Sequence, residues 1–111
     1  MKRFCFALDL KDDKKLIEEY RSYHESVWPE ITSSILESGI LEMEIYLVSN
    51  RLFLIMETTD SFSLSEKAMR DSKDPKVQEW EALMWKYQQA LPMAKSGEKW
   101  LLMEKIFVLD K

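Results

Sequence analysis

Residues 41–59 read Leu-Glu-Met-Glu-Ile-Tyr-Leu-Val-Ser-Asn-Arg-Leu-Phe-Leu-Ile-Met-Glu-Thr-Thr, and this stretch decides the fold. Leu41, Met43, Ile45 and Leu47 alternate with Glu42, Glu44 and Tyr46, the period of two that sends successive side chains to opposite faces of a strand. Ser49-Asn50 can close a tight turn, and Arg51 to Thr59 resumes an apolar strand pattern, so the segment predicts an antiparallel hairpin. Upstream, Phe4, Phe6, Leu8 and Leu10 share the same period and predict a first strand over 3–10. Downstream, Trp100 to Leu109 predicts a last strand.

Between these strands the period changes to three and four. After the charged run Asp12–Lys15, residues Leu16, Tyr20, Tyr23, His24 and Val27 fall on one face of a helix that Pro29 interrupts. Proline is tolerated in a first helical turn, so a second helix restarts near Trp28, turns Ile31 and Ile35 inward and ends at Gly39. Ser65 to Ser72 is a third helical candidate. Asp74-Pro75 supplies a cap and a first-turn proline for a fourth, whose inward stripe is Val77, Trp80, Met84, Tyr87 and Leu91, up to Pro92. The order β-αα-β-β-αα-β predicts an α+β fold, a ferredoxin-like four-stranded antiparallel sheet with helices on one face. Apolar residues on both faces of Leu52–Met56 and Ile106–Leu109 predict that a second subunit covers the other face, making a homodimer.

Composition bounds the function. A chain of 111 residues supports one domain, taken as 1–111, and 46% apolar residues with two glycines and three prolines describe a globular chain. Sixteen basic residues are scattered among twenty acidic ones for a net charge of −4, which argues against nucleic acid as a partner. The longest purely apolar run, Leu52–Met56, is far shorter than a membrane span, and Met1-Lys-Arg leads straight into a strand pattern with no signal-peptide block, so neither a membrane nor secretion is expected. Cys5 stands alone in an apolar run, which suits a reducing compartment, the cytoplasm, and an inert thiol. One histidine and one cysteine cannot make a tetrahedral zinc set, and the glycines at 39 and 97 form no phosphate loop, so no metal and no cofactor are expected.

His24, the only histidine, lies one helical turn after Tyr20, and both project from one face. Imidazole both gives and takes protons near neutral pH, which makes His24 the first candidate for acid–base work, although a single histidine in a soluble domain is more often a plain surface residue. Trp85 falls off the inward stripe of its helix, beside Gln78, Glu81 and Gln89, a setting suited to a sugar platform or to packing against a loop or partner. Trp28, Trp80 and Trp100 read as core or interface residues, and the seven methionines as core filling.

Tyr20-x-x-x-His24-x-x-x-Trp28-Pro29-Glu30, followed by Ile45-Tyr46-Leu47 and then Trp85-Lys86-Tyr87 before Pro92, resembles the L-rhamnose mutarotase family over nearly the whole chain. The resemblance implies a dimeric α+β barrel in the cytoplasm that interconverts the α and β anomers of a 6-deoxy-L-hexose, L-rhamnose first and L-fucose close behind, without metal or nucleotide. It implies His24 as proton donor and Tyr20 and Trp85 as substrate contacts; the chemistry of ring opening adds Tyr46 as a further residue to hold the ring beside Trp85, with Tyr20, a carboxylate or a bound water as the group complementary to His24. Met84 stands where the family carries the first tryptophan of a pair, and Met43 where it carries a tyrosine, which bears on the choice of sugar more than on the reaction. The alternatives are a non-catalytic sugar- or metabolite-binding module, and another enzyme on the scaffold that also carries monooxygenases and lactone isomerases.

Overall fold

The alternating segments pair as one antiparallel sheet in the computed structural model, which describes residues 1–110. The chain runs β1 (Lys2–Leu10), α1 (Lys14–Glu25), α2 (Pro29–Glu37), β2 (Ile40–Val48), β3 (Arg51–Thr58), α3 (Leu64–Ser72), α4 (Pro75–Trp85), β4 (Gln88–Gln89) and β5 (Leu101–Leu102). Strand order is β2-β3-β1-β4, with β5 also paired to β1, so β4 and β5 together occupy the position of one interrupted fourth strand. This is the ferredoxin-like α+β arrangement that the element order predicts.

Local chemistry sets the boundaries. Asp13 accepts from the Leu16 amide at 3.1 Å, Ser63 from Glu66 at 3.3 Å, and Asp74 from Lys76 and Val77 at 3.0 and 3.3 Å, satisfying first-turn donors of α1, α3 and α4. Ser49 takes φ 55° at the hairpin turn. Gly39, at φ +100°, lets α2 turn directly into β2, and a Cβ there would stand 3.0 Å from Thr59 Oγ1. Gly39→Ala is therefore expected to lower stability by about 1–2 kcal/mol through backbone strain. An unchanged urea midpoint would contradict this.

Three sequence expectations need correction. A bulge at Ile40/Glu42 makes Leu41 the extra residue, so Ile40 (1% exposed) and not Leu41 (48% exposed) joins the buried side of the strand, although alternation groups Leu41 with Met43 and Ile45. The fourth helix stops at Trp85 instead of running to Leu91: Gln88 and Gln89 peel off to pair with Leu10 and Asp9, and the Lys11 amide donates to the Tyr87 carbonyl at 2.8 Å. Tyr87 and Leu91 are buried as predicted, but from a turn and a loop. The last strand is limited to Leu101–Leu102, extended by a bond from the Met103 amide to the Cys5 carbonyl at 2.8 Å. Its register, Phe6 opposite Leu102, would bring Ile106 opposite Lys2, where β1 begins, so Ile106–Leu109 has no strand of this chain to pair with and stands 64–88% exposed.

The helices pack on the face formed by Leu8, Leu10, Leu52, Leu54 and Met56. Two apolar clusters result: Leu10, Tyr20, Leu52, Met84 and Tyr87 form one, and Ile40, Leu54, Met56 and Phe62 form the other. Between them the core is not filled. Tyr20 and Met84 of the first cluster and Leu54 and Met56 of the second border a cavity of about 670 Å³. No helix among the described residues is long and apolar enough to cross a membrane.

Candidate active site

His24 sits in the last turn of α1 and faces this cavity. Its Nδ1 lies 2.8 Å from the carbonyl oxygen of Tyr20. A carbonyl only accepts, so Nδ1 carries a proton and donates it, which leaves Nε2 as the ring nitrogen not committed to that bond. The i to i+4 geometry that makes this bond also places the Tyr20 ring 4.4 Å from the imidazole, centroid to centroid. Trp80, projecting from α4, meets the imidazole edge-on at 5.7 Å and is itself braced by Trp28 at 5.0 Å. The imidazole is thus held by one hydrogen bond and two aromatic rings.

Tyr20 is 4% exposed, and its hydroxyl receives the Gln88 side-chain amide at 3.4 Å. Burial pushes this phenol above its ordinary range, with Gln88 opposing more weakly, so the group stays protonated and its own O–H is free to donate. Behind it, the Tyr87 hydroxyl donates to Glu19 Oε1 at 3.1 Å, tying α1 to the chain that follows α4. Burial, and then the Glu19 carboxylate, push the Tyr87 phenol up to about 12.

The four residues singled out from sequence separate into two groups. His24 and Tyr20 share the cavity. Trp85 does not line it: the residue ends α4, is 37% exposed and lies under Lys99 Nζ, 5.1 Å from its ring centroid. Its position off the inward stripe turns it away from the cavity that Trp80 and Met84 face. Tyr46 is 54% exposed and packs beside Phe53 at 6.2 Å on the other face of the sheet, where Glu44 raises its phenol. Period two requires this, because its neighbour Ile45 lines the cavity.

Sequence reasoning missed several cavity residues. Trp80 and Trp100 read as core or interface because an inward aromatic, on a helical stripe or at the start of a strand, looks the same whether it faces packed side chains or a hollow. Met43 and Met84, the two departures from the family pattern, both line the cavity. Asp71, Gln88 and Lys67 also line it, and no motif announces them. Cys5 lies half-buried in β1, among none of the cavity residues. Among the described residues, no group of three or more His, Cys, Asp or Glu side chains gathers where it could hold a metal ion.

The chain is 43% identical over its whole length to an L-fucose mutarotase from Xanthomonas campestris pv. campestris, covering 90% of that protein. It is 28% identical to an L-rhamnose mutarotase from Sinorhizobium fredii over 76% of this chain and 77% of that one. The crystal structure of an L-rhamnose mutarotase from Formosa agariphila superposes with a TM-score of 0.73 at 19% identity, covering 99% of this chain and all of the other, which shows a common fold. A family model described as L-rhamnose mutarotase matches residues 3–109, and with it the sequence, the sheet order and the full-length relative agree that this chain belongs to the L-rhamnose mutarotase family.

Proposed function

We propose that the chain interconverts the α and β anomers of a 6-deoxy-L-hexose, with L-fucose the first sugar to test and L-rhamnose the second. The observation that carries this reading is a single imidazole whose Nε2 is left free beside a buried, protonated phenol in a cavity within the size range of small-molecule sites. The preference for L-fucose follows the 43% identity with the L-fucose mutarotase, against 28% with the L-rhamnose enzyme.

Mutarotation needs one proton delivered to the ring oxygen and one removed from the anomeric hydroxyl, so that the bond between C1 and the ring oxygen breaks and an open-chain aldehyde forms. The aldehyde then turns and closes on its other face by the reverse steps. Both oxygens are bonded to the same carbon, so His24 Nε2 serves as donor in its imidazolium form and as acceptor in its neutral form. Tyr20, kept protonated by burial, donates a hydrogen bond and orients the sugar. The indole next to the imidazole is Trp80, and we assign the platform role to it in place of Trp85. Saturation-transfer NMR tests the reading directly: anomer exchange of L-fucose or L-rhamnose should be faster with the protein, and exchange at the buffer rate for both sugars removes it.

The same proposal includes a homodimer in the cytoplasm, the compartment that the lone cysteine suits. Phe53, Ile55, Tyr46 and Val48 face away from the helices, and the exposed run Ile106–Leu109 adds apolar surface that a second copy would cover. Light scattering that returns the mass of one chain would remove the dimer.

A further inference from the structure

Two buried side-chain polar atoms among the described residues have no hydrogen-bond partner, Asp71 Oδ1 and Gln88 Oε1. Their residues are 9% and 6% exposed, and both line the cavity that holds His24 and Tyr20. They reach it from different elements, Asp71 from α3 and Gln88 from β4. Folded chains pair buried polar atoms, because an orphan loses its water and gains nothing in return. Two orphans in one cavity, on walls otherwise rich in Met43, Ile45, Leu54 and Met56, mark places where something bound completes them.

The partners already present fix what that ligand must offer. The other oxygen of Asp71 takes the Lys67 ammonium one helical turn back. The Gln88 amide nitrogen is directed at the Tyr20 hydroxyl. What is left unused in each case is an acceptor, so the ligand supplies donors, and at this depth the natural donors on a sugar are its hydroxyl groups. The apolar walls between them suit the C–H faces and the methyl group of a deoxy sugar.

We infer that Asp71 and Gln88 are specificity contacts that each accept a hydrogen bond from a hydroxyl of the bound sugar. The inference rests on the mutarotase reading and deepens it. Neither residue moves a proton in the reaction. They hold the polyol so that the anomeric carbon lies at His24, and they discriminate between sugars that differ in the positions of their hydroxyls.

The test uses the full chain, Asp71→Asn, Gln88→Leu, and L-fucose with its 2-deoxy, 3-deoxy and 4-deoxy analogues, read by calorimetry for binding and by saturation-transfer NMR for exchange. With the unmodified chain, two of the three analogues should bind about tenfold or more weaker than L-fucose. Gln88→Leu should raise KM by about tenfold with kcat nearly kept, and should show no further loss with the analogue lacking its matched hydroxyl. Asp71→Asn should behave likewise with the other analogue. If Asp71→Asn does not fold, the analogue series on the unmodified chain and Gln88→Leu still decide the matter. Equal binding of all three analogues, or variants with unchanged KM, would overturn the inference and leave the two acceptors to bound water. Absence of anomer exchange by the unmodified chain would instead remove the mutarotase reading beneath it.

Discussion

His24→Ala is expected to slow anomer exchange by about 10²- to 10⁴-fold, the range that a positioned acid–base group contributes. The expectation depends on which nitrogen is free. With Nδ1 committed to the Tyr20 carbonyl, Nε2 is the ring's one exchangeable site, and no second histidine exists to replace it. The substitution should spare the fold, because the imidazole is only part-buried and its hydrogen bond goes to a carbonyl of its own helix. His24→Gln offers a hydrogen-bonding group of similar reach without a titrating nitrogen, so it should restore sugar binding but not exchange. An alanine variant with near-normal exchange would remove His24 from the reaction.

Leu10→Ala is expected to have the largest effect on stability, about 2–5 kcal/mol. Leu10 is 1% exposed at the end of β1 and packs in one cluster with Tyr20, Leu52, Met84 and Tyr87. Both of its backbone polar groups bond Asn50, and the next residue, Lys11, donates to the Tyr87 carbonyl on the other side, so the surroundings cannot collapse freely into the space left behind. Because Tyr20 rests on the same cluster, the variant should bind sugar more weakly even where it remains folded. Urea denaturation measures the first effect and calorimetry the second; a loss under about 1 kcal/mol would mean that the site relaxes far more than this packing suggests.

The sequence makes most of the sheet legible because β1, β2 and β3 each repeat their period across several residues, and the hairpin at 41–59 is specified by both alternation and turn. The misplaced elements are those whose pattern is real but whose partner is not local. Gln88 and Gln89 continue a helical run acceptably, and only the free edge of β1 draws them into a ladder. Ile106–Leu109 has the composition of a strand and no strand of this chain beside it. The site divides in the same way. His24 and Tyr20 are adjacent on one helix, so their meeting follows from spacing. Trp80, Asp71 and Gln88 come from three elements of the second half of the chain, and their convergence on the imidazole's cavity is a property of packing that no linear motif records. Trp85 stands out in the sequence because a large aromatic off the inward stripe asks for an explanation, and in the fold Lys99 lies above its ring.

The fourth strand of the sheet is in effect a seam. Each of its two pieces is held to β1 by only a two-residue ladder, and the chain between them, including Lys99 and Trp100, closes one wall of the hollow, whereas β1 and β3 are zipped along eight residue pairs. Amides along that wall should therefore trade deuterium soonest, long before those of the β1–β3 pair. The wall along that stretch would then be the one that gives way around a bound sugar, while the β1–β3 pair holds its shape.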